Sequence, residues 1–283
     1  MKVCFIASGP IEWASARYRA YWVAPYMEDA TVVELPYEGD KLMLPYADVY
    51  IWQKRFDKGI SEFISENGWR QWWDVCDPLW WLSPELSKDI LDRVEGVVSS
   101  TQALADDFTA WSGRDCHVIP DRLELSHYNK QREHRDVQPV RFIWYGMGVN
   151  RPSLAGAWIN LHRLVANGHD ISLTVMDDMP GTPLGFGDEV PIYYVPWKLE
   201  HEVEVIAQHD IALLPPYPGP WGPLKSNNKS KSAWACGLPY SKGYNYEAME
   251  RLVKDCKHRM NFAALEGMDV RHSAAEWEAL LNV

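Results

Sequence analysis

The sequence predicts an α/β protein of two similar halves, each a parallel sheet flanked by helices. Two observations carry this. Short apolar runs alternate with helical stretches from the first residues onward, the signature of βαβ units. The alternation then breaks over residues 124–138, a polar stretch of mixed charge with no apolar period, and restarts at Arg141. That break reads as a connection between domains. It gives an N-terminal domain over 1–125, a linker over 126–139 and a C-terminal domain over 140–283, whose last helix is free to pack back on the first domain. A chain of 283 residues is long enough for two domains of ordinary size.

In chain order, residues 3–7 form the first strand, closed by a Ser-Gly-Pro turn and followed by a helix over about 13–27. Strands at 32–35 and 49–52 come next, then a helix over 58–66 and a strand at 72–76. Ser83-Pro84-Glu85 opens a helix, with a capping serine and a proline in the first turn. A strand at 96–99, a helix capped by Thr101 and a strand at 116–119 complete the first half. In the second half, strands at 141–145, 171–176, 192–195 and 211–214 alternate with helices at 152–167 and 200–208. Helices at 230–235, 246–260 and 274–281 follow. The run 211–214 is continuously apolar, as a central parallel strand requires. Two such halves predict a central cleft faced by the C-terminal edges of both sheets, where open parallel sheets take ligands.

Composition narrows the class. A hydrophobic fraction of 47% with 24% charged residues describes a globular chain. The net charge of −11 argues against non-specific affinity for nucleic acid, while leaving room for a local basic cleft. Five cysteines without CxxC spacing suit reduced structural thiols and a cytoplasmic location. The first apolar run is too short for a signal peptide, and no segment has the length of a membrane span. No HxxxH or Cys/His cluster is present, and Asp177-Asp178 reads as loop, so no metal is expected. A dinucleotide site is disfavoured too, because neither glycine turn completes GxGxxG. Among 15 tryptophans, the pairs Trp72-Trp73 and Trp80-Trp81 are expected to leave some rings outside the core, lining a groove for a flat or ring-shaped ligand.

The stretch 210–244 carries the strongest functional signal. A buried strand runs into a loop with Lys225, Asn227, Asn228, Lys229 and Lys231, then a short helix and a Gly-Leu-Pro turn. Free N–H groups and partial positive charge at a helix N-terminus, with lysines added, favour phosphate. Lys225 and Lys229 are expected to touch the ligand, Asn228 to hold a phosphate or ribose hydroxyl, and Lys231 to be exposed. Gly146 and Gly148 sit in a strand-to-helix turn that lets backbone approach a phosphate. Arg151 opens the next helix, either as a fork for a diphosphate or as a solvated helix end. Trp197 either stacks on a nucleobase or wedges its turn into the core. Glu247 either accepts ribose hydroxyls or is a surface acid.

In the first half, Gly9 lies in the turn after the first strand. Arg17 and Arg19 point about 200° apart on a helix, so one of them faces the ligand side, and Arg19 is preferred. Asp74 and Asp77 stand at the C-terminal end of a strand, where a carboxylate can serve as acceptor-side base or hydroxyl binder. Asp77, before Pro78, could equally cap a turn.

These pieces, in their order, resemble the GT-B glycosyltransferases of the family 4 type. VRFIWYGMGVNR is similar to the first strand and glycine turn of that family's nucleotide-sugar domain. YYVPWKLEHEVEVIAQHDIALLPP resembles its base-binding turn, helix and strand, and KSNNKSKSAWACGLPYSKGY its loop, helix and A-x-G-x-P turn over the diphosphate. VEGVVSSTQALADDFTAWSGRDCHVIPDRLELSHY resembles the exit of the N-terminal domain. ASARYRAYWVAPYM and WWDVCDP are also similar to pieces of family members, so the resemblance spans nearly the whole chain.

The resemblance implies two Rossmann-like domains and a hexosyl- or pentosyltransferase that uses a nucleotide-diphosphate sugar, UDP-linked first, with no metal or other cofactor. Gly146, Arg151, Lys225 and Lys229 would neutralise the leaving diphosphate. The acceptor hydroxyl, on a glycan, small molecule or modified DNA base, would lie near Gly9, Arg19, Asp74 and Asp77. The chain departs from the family at Ser232, where a glutamate is usual. It also lacks a lysine near Arg151 and has no histidine before His117; the short K-S-x-x-K loop matches smaller members better. Two alternatives stand beside this reading. One is a DNA-modifying enzyme of the phage type acting on a hydroxymethylated base. The other is a non-catalytic module that binds nucleotide sugars.

Overall fold

The computed structural model describes residues 1–35, 43–179, 181–185, 187–260 and 265–282. Its strands form two sheets in which every pairing is parallel. The chain divides into two compact units. The first comprises Met1–Glu124, Pro223–Asn227 and Gly267–Val283, and the second Leu125–Gly222 and Asn228–Glu266.

The sheet of the first unit contains β1 (Val3–Ala7), β2 (Ala30–Glu34), β3 (Val49–Gln53), β4 (Arg70–Val75), β5 (Gly96–Ser99) and β6 (His117–Val118). Their order is β2-β1-β3-β4-β5-β6, so the direction of winding reverses between β1 and β3. β1, β3 and β5 are buried along their whole length, as near-continuous apolar runs require when both faces are covered. The same layering shows which rings of the tryptophan pairs stay outside the core: one of the four does. Trp72 and Trp73 are successive residues of β4 and point to opposite faces. Trp72 meets Trp277 edge-on at 6.4 Å, Trp73 meets Phe108 at 6.4 Å, and both are buried. Trp80 is buried as well, and only Trp81 of these four is exposed; both indole N–H groups donate to Asp107, at 2.8 and 3.0 Å.

The helix expected over 13–27 is instead three short pieces: an α-helical turn at Ala14–Ala16, a π-helical stretch at Arg17–Tyr21 and a 3-10 turn at Ala24–Tyr26. Pro25 lacks an N–H to continue the ladder. The wide turn lets Arg17 and Arg19 both turn inward, where the sequence placed only one of them.

The second unit's sheet contains β7 (Val140–Tyr145), β8 (Ile171–Asp177), β9 (Ile192–Pro196), β10 (Ile211–Leu213) and β11 (Tyr240–Ser241), in the order β11-β10-β7-β8-β9. This is the doubly wound order of nucleotide-binding sheets, with its reversal between β7 and β10. Phe142, Trp144, Leu161, Leu173, Val175 and Met249 centre its core. β11 is two residues long, too short for a period to reveal. Residues expected as a linker belong to this unit: the Arg132 N–H donates to the Cys236 carbonyl (2.8 Å) and its guanidinium to buried Asp210 (2.7 Å). A buried carboxylate needs such a partner, and this polar stretch supplies it. The helix expected from Pro152 starts at Ala155, after a 3-10 stretch over Gly148–Leu154. The one expected over 246–260 ends at Lys254, where Asp255 caps a 3-10 turn. Among the described residues no helix is long and apolar enough to cross a membrane.

Candidate functional site

In the second unit the reversal point lies at the C-terminal ends of β7 and β10. β7 ends at Tyr145 and the chain turns at Gly146. Beyond β10 the chain re-enters as the helix Asn228–Ala235. That helix is tied to β7 by Tyr145, whose hydroxyl donates to the Lys229 carbonyl (2.6 Å). The Lys229 ammonium stands 5.3 Å from the Trp144 ring centroid, and a Cβ added to Gly146 would run into it. Glycine at 146 therefore leaves room for a cation at the end of the central strand. Lys229 and Gly146 come together as the sequence anticipated, and Asn228 heads the same helix.

The neighbouring expectations need correction. The Gly148 N–H donates to Asp178 (2.6 Å), and a Cβ there would lie 2.5 Å from the Met179 sulfur, so packing explains this glycine. Arg151 is buried: its Nε lies 2.5 Å and its Nη2 2.8 Å from Asp177, and its other bonds go to the Thr182 and Met179 carbonyls. The hydrogen bond to Asp177 holds its pKa up against the cost of burial. With four of its five N–H groups so engaged, this guanidinium is not an open fork for a diphosphate. The Trp197 indole N–H donates to buried Glu202 (2.9 Å), which anchors its turn. Glu247 is exposed in the first turn of the helix Tyr246–Lys254, where a carboxylate complements the helix dipole. Ser232, at the usual glutamate position, is buried with its hydroxyl 2.8 Å from that of Tyr128. Lys231 is partly buried rather than exposed.

In the first unit the reversal lies at the ends of β1 and β3, and β4 carries the carboxylates beside it. Arg19 is 2% exposed. Its Nε contacts both Asp74 oxygens (3.1 and 3.0 Å), Nη2 contacts Asp74, and Nη1 reaches the Ile119 carbonyl (2.5 Å) and Asp121 (3.1 Å). Arg19 is thus an internal strut and not an acceptor ligand, because two buried carboxylates enclose it. Despite burial, Asp74 and Asp121 hold its pKa up. Burial pushes Asp74 up to about 6 while Arg19 pulls the other way. A guanidinium in direct contact keeps its proton, so the pair is ionic at neutral pH. Asp74 is therefore not an open base.

Asp77 sits 2.5 Å from the Lys54 ammonium and also pairs with Lys225. Burial opposes its ionisation, but Lys54 and Lys225 overcome this and hold the carboxyl below its usual range. Lys225 thus belongs with Asp77 in the first unit and not with Lys229. Ser226 donates to Asp121 (2.5 Å) and Thr101 to the Leu224 carbonyl (2.9 Å), which fixes Pro223–Asn227 there. Gly9 is buried, and a Cβ on it would lie 2.6 Å from the Trp13 ring; glycine lets that indole lie against the turn. Lys54, Gln53 and Asp121 join this cluster without having been singled out from sequence. The position of Lys54 just past a strand end was the available signal.

All five cysteines are free thiols. Among the described residues, Asp136, Asp255 and Cys256 form the one group spaced to hold a metal. Two of its carboxylates already cap backbone, Asp136 the Cys256 N–H (2.9 Å) and Asp255 the Lys257 N–H (2.8 Å).

No protein-family model matches the sequence and no curated protein matches it. Solved structures do. A trehalose-6-phosphate synthase matches with a TM-score of 0.61 at 12% identity, over 83% of this chain and 72% of that one. An α-glucosyltransferase in complex with UDP and a 13-mer DNA containing an HMU base matches with a TM-score of 0.60 at 10% identity, over 98% and 94%. The fold is GT-B. A chain assigned as a UDP-N-acetylglucosamine 2-epimerase from Listeria monocytogenes matches equally well, with a TM-score of 0.60 at 11% identity over 99% and 95%. At such identities the likeness fixes the GT-B architecture, and chemistry must be argued from residues.

Proposed function

We propose that this GT-B chain is a glycosyltransferase whose second unit holds a nucleoside-diphosphate sugar, UDP-linked first. The observation that carries the reading is Lys229 standing over Gly146 at the reversal point of the doubly wound sheet. A diphosphate placed there meets an ammonium group and the N-terminus of the helix Asn228–Ala235, with close approach to backbone at Gly146. Charge that develops on the leaving diphosphate is stabilised by these fixed groups, so the reading calls for no metal. The acceptor hydroxyl, on a glycan or small molecule, belongs to the first unit, beside Asp77. For Asp77 to take its proton, one of its two lysines must withdraw, because a carboxylate of lowered pKa is a weak base. Five free thiols suit a reducing, cytoplasmic setting.

The test is a thermal-shift series with UDP-glucose, GDP-mannose, ADP-glucose and CMP-sialic acid on the wild type and Lys229→Ala. We expect UDP-glucose to raise the melting temperature of the wild type and the gain to be lost in the variant. If no nucleotide sugar shifts the wild type, the donor site is not here; a shift that persists in Lys229→Ala moves it elsewhere.

Two observations support other readings. Alignment along nearly the whole length with an α-glucosyltransferase solved with HMU-containing DNA favours a modified base as acceptor, against which stands the net charge of −11. Gain of one hexose on an HMU oligonucleotide, read by mass spectrometry, would decide for it. The pairing of both Asp74 and Asp77 favours a binding module without turnover, for which UDP-glucose would bind and release no UDP.

A further inference from the structure

Two consecutive residues at the end of β3 break local rules. Gln53 is fully buried, and its Oε1 accepts both the N–H (3.1 Å) and the hydroxyl (2.7 Å) of Ser8. This fixes the amide: exchanging oxygen and nitrogen would set the NH₂ against the Ser8 N–H, donor against donor. The amide nitrogen, turned away from Ser8, has no partner. A buried unpaired N–H is costly, and its persistence calls for a reason. Lys54, next in the chain, has φ +68°, which a lysine adopts rarely. It is pinned there by its N–H to the Asp74 carbonyl (2.8 Å) and by the Trp73 indole donating to its own carbonyl (3.1 Å). Both departures fall at the reversal point of the first sheet, where parallel sheets bind ligands.

We infer that Gln53 is a recognition residue for the acceptor, its carboxamide N–H donating to a hydroxyl or ring oxygen of a neutral, polyhydroxylated ligand. This rests on the glycosyltransferase reading above. Neutrality follows from the surrounding charges. The cations Arg19, Lys54 and Lys225 pair with Asp74, Asp77 and Asp121, and Arg55 donates to the Ser8 carbonyl (3.3 Å). A ligand carrying its own charge would have to break one of these pairs; a hydroxyl needs only the donor that stands unused. Trp13, exposed and lying against Gly9, offers an apolar face at the same edge for a ring. Lys54, about a third exposed, marks the rim of this cluster.

The test uses the full chain with D-glucose, methyl α-D-glucopyranoside and maltose, titrated by NMR and calorimetry, with UDP as a control for the second unit. We expect at least one sugar to bind the wild type and to shift the Gln53 side-chain amide resonances. Gln53→Glu keeps an oxygen for Ser8 and loses the N–H; Gln53→Met loses both. Each should weaken sugar binding about tenfold or more while UDP affinity stays within about twofold. The inference falls if no sugar binds the wild type, if the Gln53 amide does not respond, or if Gln53→Glu binds sugar as well as the wild type does. It falls also if an HMU oligonucleotide binds where the sugars do not. The wild-type amide signal decides the matter even where a variant fails to fold. Absence of UDP binding with sugar binding intact would sink the donor reading alone.

Discussion

Lys225 and Lys229 stand four apart in the chain, yet one pairs with Asp77 and the other stands over Gly146. Sequence conveys a side chain's charge; its neighbours come from distant segments. Arg19 finds Asp74 and Asp121, and Arg151 finds Asp177. Those two arginines stand out in the sequence while their buried carboxylate partners do not, whereas the place of Lys229 can be read because the helix that carries it begins one residue earlier. His209 shows the same dependence on surroundings and gives a pH prediction. It is buried, with Nδ1 2.7 Å from the Val205 carbonyl and Nε2 2.7 Å from the Thr174 hydroxyl, which satisfies a neutral ring. Burial lowers its pKa from 6.5 to about 4. Between those values the unfolded chain binds the proton and the folded one does not. Its contribution is therefore complete above pH 6.5, falls as pH drops toward 4 and then levels, by about 3 kcal/mol in all. Urea unfolding of the wild type and His209→Asn from pH 7 to 4 checks this; parallel curves would exclude His209 as the source.

Strands buried on both faces were the most legible elements, because continuous apolar runs such as those of β1, β3 and β10 have few other uses in an α/β chain. The helix Lys58–Glu66 was equally plain, closed at its start by Asp57, which accepts the Ile60 N–H (2.8 Å). Elements set by tertiary demand were not legible. β11 exists because a two-residue edge can hydrogen-bond β10, and the π-helical stretch at Arg17–Tyr21 forms where two arginines must be buried. Thr101 links local and tertiary roles: its hydroxyl accepts the Leu104 N–H (3.1 Å) and donates to the Leu224 carbonyl (2.9 Å). Thr101→Val keeps shape and removes both bonds. A stability loss of about 1–2 kcal/mol is expected, with faster amide exchange in the first turn of Gln102–Ser112 and at residues 223–227. A loss confined to the helix would mean that the Leu224 contact holds nothing in place.

The first unit is assembled from three separate stretches of chain, and the last of them is structural. Residues 267–282 return beside Leu123, whose N–H donates to the Met268 carbonyl (2.7 Å) and whose carbonyl accepts the Val270 N–H (2.8 Å). The helix Val270–Leu281 is then fastened by Arg122 to Glu276 (2.6 Å) and by Ser273 to the Pro120 carbonyl (3.1 Å). Its buried face carries Trp277, which packs edge-on against Phe5 of β1 (6.0 Å) and Trp72 of β4 (6.4 Å). A ring so placed covers one face of β1 and β4, the strands that lead to Gly9 and Asp77, so the packing beneath these residues depends on a helix distant in the chain. Trp277→Ala should cost about 3–5 kcal/mol, the range for emptying an aromatic site in a core, and Trp277→Phe distinctly less. Urea unfolding monitored by circular dichroism measures both. The salt bridge from Arg122 is partly exposed and should contribute about 1 kcal/mol or less. Loss of Glu276 should therefore be mild beside loss of Trp277, and the opposite ranking would show that surface charge, and not ring packing, holds this helix to the sheet.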